Sequence, residues 1–139
     1  MLLGEYRYGV DVKGRLFIPA PLRAKLGETL VLSKSFDPCL NVSSRSAWEN
    51  FCDRLSALPE MSGSGILRYL FSTAQEVTCD SHGRVVIPQS LRQYASLESE
   101  AVIIGVRNHA EIWSEAAYTA YMNGLDQASM LETLKQYGF

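Results

Sequence analysis

Short apolar runs separated by turn residues are the dominant pattern of the chain. Residues 16–18, 30–32, 85–87 and 101–106 form the longest of these runs, and their length is typical of β-strands. None approaches the roughly 20 apolar residues that span a bilayer. The pattern therefore predicts a mostly β protein with flanking helices, of the α+β class.

Helical spacing begins after the first group of strand-like runs. Apolar residues recur every three or four positions, at Trp48, Phe51, Cys52 and Leu55. This spacing predicts an amphipathic helix, and Ser46 and Glu49 have the spacing of a capping box at its start. Pro59, Gly63 and Gly65 then interrupt the helical pattern, so we expect the helix to end before them.

Further helices are predicted on either side of the second group of strands. Residues 66–71 are mostly apolar and predict a short helix. Ser114 is a predicted N-cap for a helix near the end of the chain. The apolar residues of that helix are Tyr118, Tyr121, Met122 and Leu125. Residues 129–136 are expected to add one or two helical turns.

One short unit occurs twice. At an offset of 69 residues, segment 11–23 aligns with segment 80–92, and seven of the thirteen aligned pairs are identical. Similarity continues at an offset larger by three residues, where 30–32 aligns with 102–104 and 39–41 with 111–113. Each copy is thus predicted to contain a turn, a strand, a short helical turn, a strand, a loop and a last strand.

Local chemistry explains why each residue type occurs at its position in the repeated turn. Asp11 and Asp80 can accept hydrogen bonds from the backbone two residues on. Gly14 and Gly83 supply the positive φ that a tight turn requires. Proline ends the strand that follows. In the first copy, residues 21–27 begin with proline and end with glycine, which favours a short helix.

Two units of about 40 residues cannot each bury an adequate hydrophobic core. We therefore expect the copies to pair into one shared β-barrel with pseudo-twofold symmetry and helices on its outside. The predicted divisions are 5–48 for the first unit, 49–75 for an inter-repeat helical segment, 76–119 for the second unit and 120–139 for a C-terminal helical segment.

Basic residues concentrate near the repeats although the chain is slightly acidic. The formal net charge is −2, which argues mildly against binding nucleic acid. However, six of the thirteen Lys and Arg residues lie in or beside the repeated units. Arg15 and Arg84 follow the turn glycines, and Lys13 and His82 occupy matching turn positions. These side chains are predicted to form cationic hairpin tips.

Other interpretations of the basic residues stay open. Arg15 and Arg84 could instead form ion pairs with the turn aspartates, and such pairs are compatible with DNA contact. Arg23 could contact phosphate or belong to a solvated helix face, as could its counterpart Arg92. Arg7 is close in sequence to the first turn and is a further candidate for the same surface.

Catalysis, metal binding and disulfides are not predicted. Asp11 and Asp80 could be proposed as paired carboxylates with His82 or His109 as a base, yet each aspartate is explained by its turn. Cys79 and His82 have ligand spacing without a second half of a zinc site. The odd number of cysteines, three, favours a reducing compartment. We expect no cofactor, no small-molecule substrate and no membrane association.

The two Asp-x-x-Gly-Arg units, with their Ile-Pro-x-x-Leu-Arg continuations, resemble the MraZ family of bacterial regulators. The signatures here are 11–15 and 80–84, and the likeness covers nearly the whole chain. It implies tandem SpoVT/AbrB-like units that form a swapped-hairpin barrel. It also implies a homo-oligomer closed into a ring.

The resemblance further implies binding to double-stranded DNA at repeated boxes upstream of the operon for division and cell-wall genes. Regulation, usually repression, would take place in the cytoplasm at the nucleoid. Family DNA contacts carry over first onto Arg15 and Lys13, and then onto Arg84. His82 replaces the lysine in the second copy, which favours the first tip. An AbrB-fold protein–protein module, such as an antitoxin, is the alternative function.

Overall fold

The structure, a computed structural model, describes residues 1–61 and 64–139. The predicted break at Gly63 therefore lies outside the described residues. The strands are β1 (Glu5–Gly9), β2 (Arg15–Phe17), β3 (Thr29–Lys34), β4 (Cys39–Ser44), β5 (Gln75–Thr78), β6 (Arg84–Val86), β7 (Glu100–Val106) and β8 (His109–Ser114). The α-helices are α1 (Ala20–Leu26), α2 (Arg45–Ser56), α3 (Ile66–Phe71), α4 (Gln89–Tyr94), α5 (Glu115–Asn123) and α6 (Gln127–Gln136).

The strands form two antiparallel sheets, and both contain strands from the two copies. The larger sheet has the order β1-β7-β8-β4-β3-β5, and β2 pairs with β6 in the smaller one. The first strand of each copy thus pairs with the other copy: β1 with β7, and β5 with β3. Each sheet therefore needs strands from both copies. The α+β class predicted from the sequence is confirmed.

The predicted closed barrel is not found among the described residues. The larger sheet ends at β1 on one side and at β5 on the other, and no pairing joins these two strands within the described part of the chain. The two-stranded β2–β6 sheet instead packs its buried side chains, Leu16 and Val85, against the same core. The architecture is therefore two sheets around one core.

Strand pairing follows a twofold pattern. In the smaller sheet Leu16 lies opposite Val85, and these are equivalent positions of the two copies. At the centre of the larger sheet, Asn41 lies opposite Glu111 in the β4–β8 pair. The two copies are therefore related by a pseudo-twofold axis that passes through both sheets.

The pairing corrects the sequence alignment beyond the turns. Leu30 pairs with Ser44, and Ala101 pairs with Ser114. Because both serines cap the helix that follows, they are equivalent, and so are Leu30 and Ala101. The offset is thus 71 in the third strand and 70 in the fourth, and the predicted increase of three residues was wrong. Apolar residues in successive positions of these strands made the slipped alignment look equally good.

The start of α2 also differs from the prediction. Its N-cap is Ser44, whose Oγ accepts a hydrogen bond from the Ala47 N–H at 3.1 Å. The capping box predicted at Ser46 was wrong, and Glu49 instead lies 3.6 Å from Arg45 in an ion pair one helical turn away. Ser44, and not Ser46, is the N-cap because the chain leaves β4 at Ser44. Its hydroxyl therefore faces the first free N–H groups of the helix.

The predictions for the C-terminal helices were close. Ser114 caps α5 as expected, and its Oγ accepts a hydrogen bond from Ala117 N at 3.1 Å. Leu125 lies beyond the end of α5, which is Asn123. The last helix is longer than predicted, because Asp126 caps a ten-residue α6.

One apolar core is shared by the two copies. Its fully buried members come from equivalent strands and short helices, and they include Leu16, Ile18, Leu22, Leu30, Leu32, Leu40, Ile87, Leu91, Ile103 and Ile112. In contrast, α6 has no buried residue. The core therefore holds the two repeated units together, and the last helix adds nothing to it.

Leu16→Ala should test the shared core at its centre. The side chain is completely buried, so truncation is expected to lower the free energy of unfolding by about 2–5 kcal/mol. Chemical denaturation monitored by circular dichroism measures the change. Val12→Ala is the control, because that side chain is 97% exposed and its truncation should change stability by no more than about 0.5 kcal/mol. Equal effects of the two substitutions would contradict the shared core.

Candidate nucleic-acid interface

The first repeated turn is organised by one aspartate. The Oδ1 atom of Asp11 accepts hydrogen bonds from the backbone N–H groups of Lys13 and Arg15, each at 2.9 Å. Its Oδ2 atom accepts a third bond from Nε of Arg15 at 2.6 Å. The carboxylate therefore closes the turn and fixes the guanidinium at the same time.

The second turn repeats this geometry. Oδ1 of Asp80 accepts from the backbone of His82 and Arg84 at 2.9 Å each, and Oδ2 accepts from Nε of Arg84 at 3.0 Å. The backbone N–H of the arginine is the largest influence that lowers the pKa of each aspartate below its ordinary range. Both carboxylates are therefore ionised at neutral pH. The ion pairs considered from the sequence are confirmed in both copies.

The turn glycines adopt the backbone conformation that the sequence predicted. Gly14 has φ = +79° and Gly83 has φ = +78°, a region that L side chains rarely enter. Each glycine N–H also donates to the carbonyl of the turn aspartate, at 2.9 Å and 3.0 Å respectively. The local sequence thus specifies the whole turn.

Arg23 crosses from the first copy to the turn of the second. A Cβ on Gly83 would lie 2.8 Å from Cζ of Arg23, so the guanidinium packs directly on the glycine. Nε of Arg23 donates to the carbonyl of Ile18 at 2.8 Å, and Cζ lies 5.4 Å from the ring centroid of Phe17. The solvated helix face considered for this arginine is wrong, because Arg23 is half-buried in this contact.

Arg92 makes the reciprocal contact on the first turn. A Cβ on Gly14 would lie 2.7 Å from its Cζ, and its Nε donates to the carbonyl of Ile87 at 2.9 Å. Backbone hydrogen bonds also join the two copies here. Ile87 N donates to Gly14 O, and Ile18 N donates to Gly83 O, each at 2.9 Å. The matching positions of the two arginines were visible in the sequence, but their cross-copy role was not.

The β2–β6 pair brings the two turn arginines onto one face. Leu16 and Val85 point into the core, so their strand neighbours Arg15 and Arg84 point to the opposite side. Arg84 pairs with Phe17, which lies two residues from Arg15 on β2. The arginines are therefore separated by about 7 Å along the strand direction. Each side chain is 32% exposed.

The other predicted site residues are placed differently. Lys13 and His82 are exposed at the two turns, and their part in a cationic tip beside Arg15 and Arg84 stays a prediction. Arg7 lies on the edge strand β1, in ion pairs with Glu5 at 2.8 Å and Glu115 at 3.8 Å. The structure connects Arg7 to the start of α5 through Glu115, and its membership of the DNA-contacting face stays a prediction.

The described residues offer no obvious metal site. Within 1–61 and 64–139, no group of three or more His, Cys, Asp or Glu side chains is placed to hold a metal ion. Cys79 is half-buried just after β5, and burial raises the pKa of its thiol. In the same ranges no helix is long and apolar enough to cross a membrane.

Comparison with known proteins gives a consistent result. The chain matches a family described as "MraZ protein, putative antitoxin-like" over residues 1–64 and 70–136. It is 40% identical over 130 residues to the Transcriptional regulator MraZ of Carboxydothermus hydrogenoformans, covering 92% of this chain and 91% of that protein. The protein of the same name from Pelotomaculum thermopropionicum is 44% identical over 123 residues, with 87% and 85% covered. That from Desulfitobacterium hafniense is 38% identical over 142 residues, with 99% of each covered.

Gly83→Ala should show the cost of disturbing the crossed arginine. Alanine at position 83 must adopt a positive φ, and its methyl group must also displace Arg23. Alanine at position 65 must adopt a positive φ too, but beyond its chain neighbours no atom of the described residues lies within 4 Å of its methyl group. We expect the Gly83 variant to lose more stability in thermal denaturation than the Gly65 control. A double-mutant cycle with Arg23→Ala should show coupling of at least about 0.5 kcal/mol. Strict additivity would refute the packing contact.

Asp11→Asn should show the pH dependence of the turn. The folded pKa of Asp11 is lowered, so its stabilisation is present above the ordinary aspartate pKa and is lost as pH falls through the lowered value. The variant should thus be less stable than the parent at neutral pH, and the difference should shrink in acid. Urea denaturation across the acid range measures it, with exposed Asp53→Asn as the control. A difference that is the same at every pH would contradict this role.

Proposed function

The chain belongs to the MraZ family, and on this premise we propose that it is a sequence-specific DNA-binding transcriptional regulator. The observation that carries the proposal is the exposed face of the β2–β6 pair, where Arg15 and Arg84 stand close together, each fixed by its own aspartate. The relatives at about 40% identity are named as transcriptional regulators. No step of this function requires catalysis.

The held guanidinium suits recognition of a base edge or a phosphate. Asp11 engages Nε of Arg15, which leaves the two terminal nitrogens of the guanidinium to make a bidentate contact. In the major groove, guanine presents O6 and N7 as the matching acceptors. Because the aspartate already orders the side chain, little rotamer freedom is lost on binding. Arg15 is thus pre-organised for DNA.

We assign the larger share of binding to the first turn. Exposed Lys13 adds a full positive charge beside Arg15 and is suited to a phosphate contact. The second turn has His82 at that position, so its contribution to phosphate binding is expected to be weaker. We assign Arg84 a supporting contact on the same face. Arg23 contributes through the position of the second turn, and any phosphate contact it makes uses its terminal nitrogens.

The wider proposal concerns assembly and target. We propose that the exchanged strands are those of an AbrB-like swapped-hairpin fold, with units at 5–48 and 76–119 and helical segments at 49–75 and 120–139. Copies would assemble into a closed ring that presents many Arg15 turns to repeated boxes in promoter DNA. Multivalency then compensates for the acidic net charge, because each linked contact raises the apparent affinity of the rest.

The biological role follows from that arrangement. Occupied boxes upstream of the operon for division and cell-wall genes would block transcription, so we propose repression. The protein would act in the cytoplasm at the nucleoid, where the chromosome is.

A second candidate function is a protein–protein module of the antitoxin type. The family description contains that likeness. In addition, α6 exposes apolar side chains at Met130, Leu131 and Leu134. A small protein partner that co-purifies at fixed stoichiometry, together with no affinity for promoter DNA, would favour this function over the first.

Arg15→Gln is the central test of the DNA-binding face. Removal of a bidentate interaction should weaken binding to the upstream DNA by about 1–3 kcal/mol per site, and multivalency should enlarge the effect. Electrophoretic mobility shift or fluorescence anisotropy measures it. Arg84→Gln should have a smaller effect. Arg45→Gln is the matched control, because this exposed arginine also forms ion pairs but lies at the start of α2.

Two further readouts decide the assignment. Lys13→Gln should reduce the slope of log affinity against log salt by about one for each phosphate that the lysine no longer neutralises. Thermal denaturation of every variant must show a folded protein. The Arg45→Gln control should bind DNA as tightly as the parent. If Arg15→Gln also binds as tightly as the parent, the β2–β6 face is not the site.

A further inference from the structure

A cleft lies on the outer face of the larger sheet, on the side away from the shared core. Its volume is about 600 Å³, within the range of small-molecule pockets. It lies between α2, Leu70 of α3 and strands β3, β4 and β8. Its walls include Ser33, Asn41, Ser43, Trp48, Arg54 and His109.

In the second copy, large apolar side chains fill the equivalent space. There Trp113 is 2% exposed, and its ring centroid lies 5.9 Å from that of Tyr118 on α5. These two residues, with Val102 and Cys39, form a small apolar cluster against which Ile104 packs. The helix after the second copy is therefore sealed onto the sheet by large apolar side chains.

The first copy has small polar residues at the equivalent positions. With the offsets given by strand pairing, Ser43 corresponds to Trp113 and Ser33 corresponds to Ile104. Trp48 corresponds to Tyr118, because both lie four residues after the capping serine. Because the first copy has serines where the second has tryptophan and isoleucine, α2 has no fully buried residue, and the cleft occupies the space.

The chemistry of the walls indicates the kind of ligand. Trp48 and Phe51 provide an aromatic wall, with ring centroids 5.6 Å apart. Asn41 and Asn50 provide amide groups. Arg54 provides a cation, and within residues 1–61 and 64–139 no acidic group forms an ion pair with it. On the far wall His109 Nε2 lies 3.3 Å from Oε2 of Glu111, and the Trp113 indole donates to the other oxygen of that carboxylate at 3.1 Å.

We propose that this cleft binds a small anionic organic molecule, with a ring against Trp48 and Phe51 and its acid group on Arg54. Amides and hydroxyls of the cleft hydrogen-bond the remaining polar groups of the ligand. Because the cleft and the Arg15 face lie on opposite sides of the core, the ligand occupies a site separate from DNA. The proposal does not depend on DNA binding, and the isolated protein tests it.

The two tryptophans give an internal control for binding. In a nitrogen-15 correlation spectrum each indole N–H gives one signal. The Trp113 indole donates to Glu111 at 3.1 Å, whereas Trp48 lines the cleft. Phenyl phosphate and phenylacetate are the anionic probes, benzyl alcohol is the neutral probe, and inorganic phosphate tests the acid group alone. Anionic ring probes should shift the Trp48 signal at up to millimolar concentration, and the Trp113 signal, which is connected to the cleft only through Glu111 and His109, should shift less.

Two variants separate the features of the site. Arg54→Gln should weaken both anionic probes about ten-fold and leave benzyl alcohol unchanged. Ser43→Trp imitates the second copy, so it should fill the cleft and abolish binding of every probe. Ser43→Leu serves the same purpose if the tryptophan variant does not fold. A stronger response to phenyl phosphate than to phenylacetate, or the reverse, tells which acid group is preferred.

Several results would overturn the proposal. The Trp48 signal could fail to respond to any probe, or the anionic probes could bind Arg54→Gln and the parent equally. Concentration-dependent broadening of the Trp48 signal without added probe, removed by Ser43→Trp, would show that a second copy of the chain fills the cleft instead.

Discussion

The rest of the structure depends on one pair of reciprocal backbone hydrogen bonds, which join each repeated turn to the strand end of the other copy. Ile18 N donates to Gly83 O, and Ile87 N donates to Gly14 O, each at 2.9 Å. These bonds form where β2 and β6 lie side by side, and the same arrangement pairs the first strand of each copy with the other copy. The exchange of strands, the single core and the common arginine face are all built around this contact.

Glycine is required in the turn for two separate reasons. Its positive φ closes the turn, and its missing Cβ leaves room for a guanidinium of the other copy. Arg23 and Arg92 use that room to satisfy the carbonyls at the ends of β2 and β6. Two arginines per copy therefore have different tasks: one is directed outwards by its aspartate, and the other is committed to the contact between copies.

The sequence predicted the turns well because their chemistry is local. Asp11, Gly14 and Arg15 interact within five residues, so their spacing alone specifies the geometry. Strand register was beyond such reasoning. Several neighbouring positions in β3 and β7 are apolar, and only the pairing with Ser44 and Ser114 shows the true offsets. The role of Arg23 was missed for a related reason, since its partner Gly83 is distant in sequence.

The cleft could not be predicted, because it is a difference between equivalent positions that the slipped alignment did not match. The buried core residues and the turn glycines contact both copies. The outer sheet face differs, because α2 and α5 pack on it independently. Ser43 stands on that face where the second copy has Trp113, so α2 has less packing beneath it while the exchange of strands is intact. Duplication therefore allows one half of this fold to acquire a pocket while the symmetric half retains its packing.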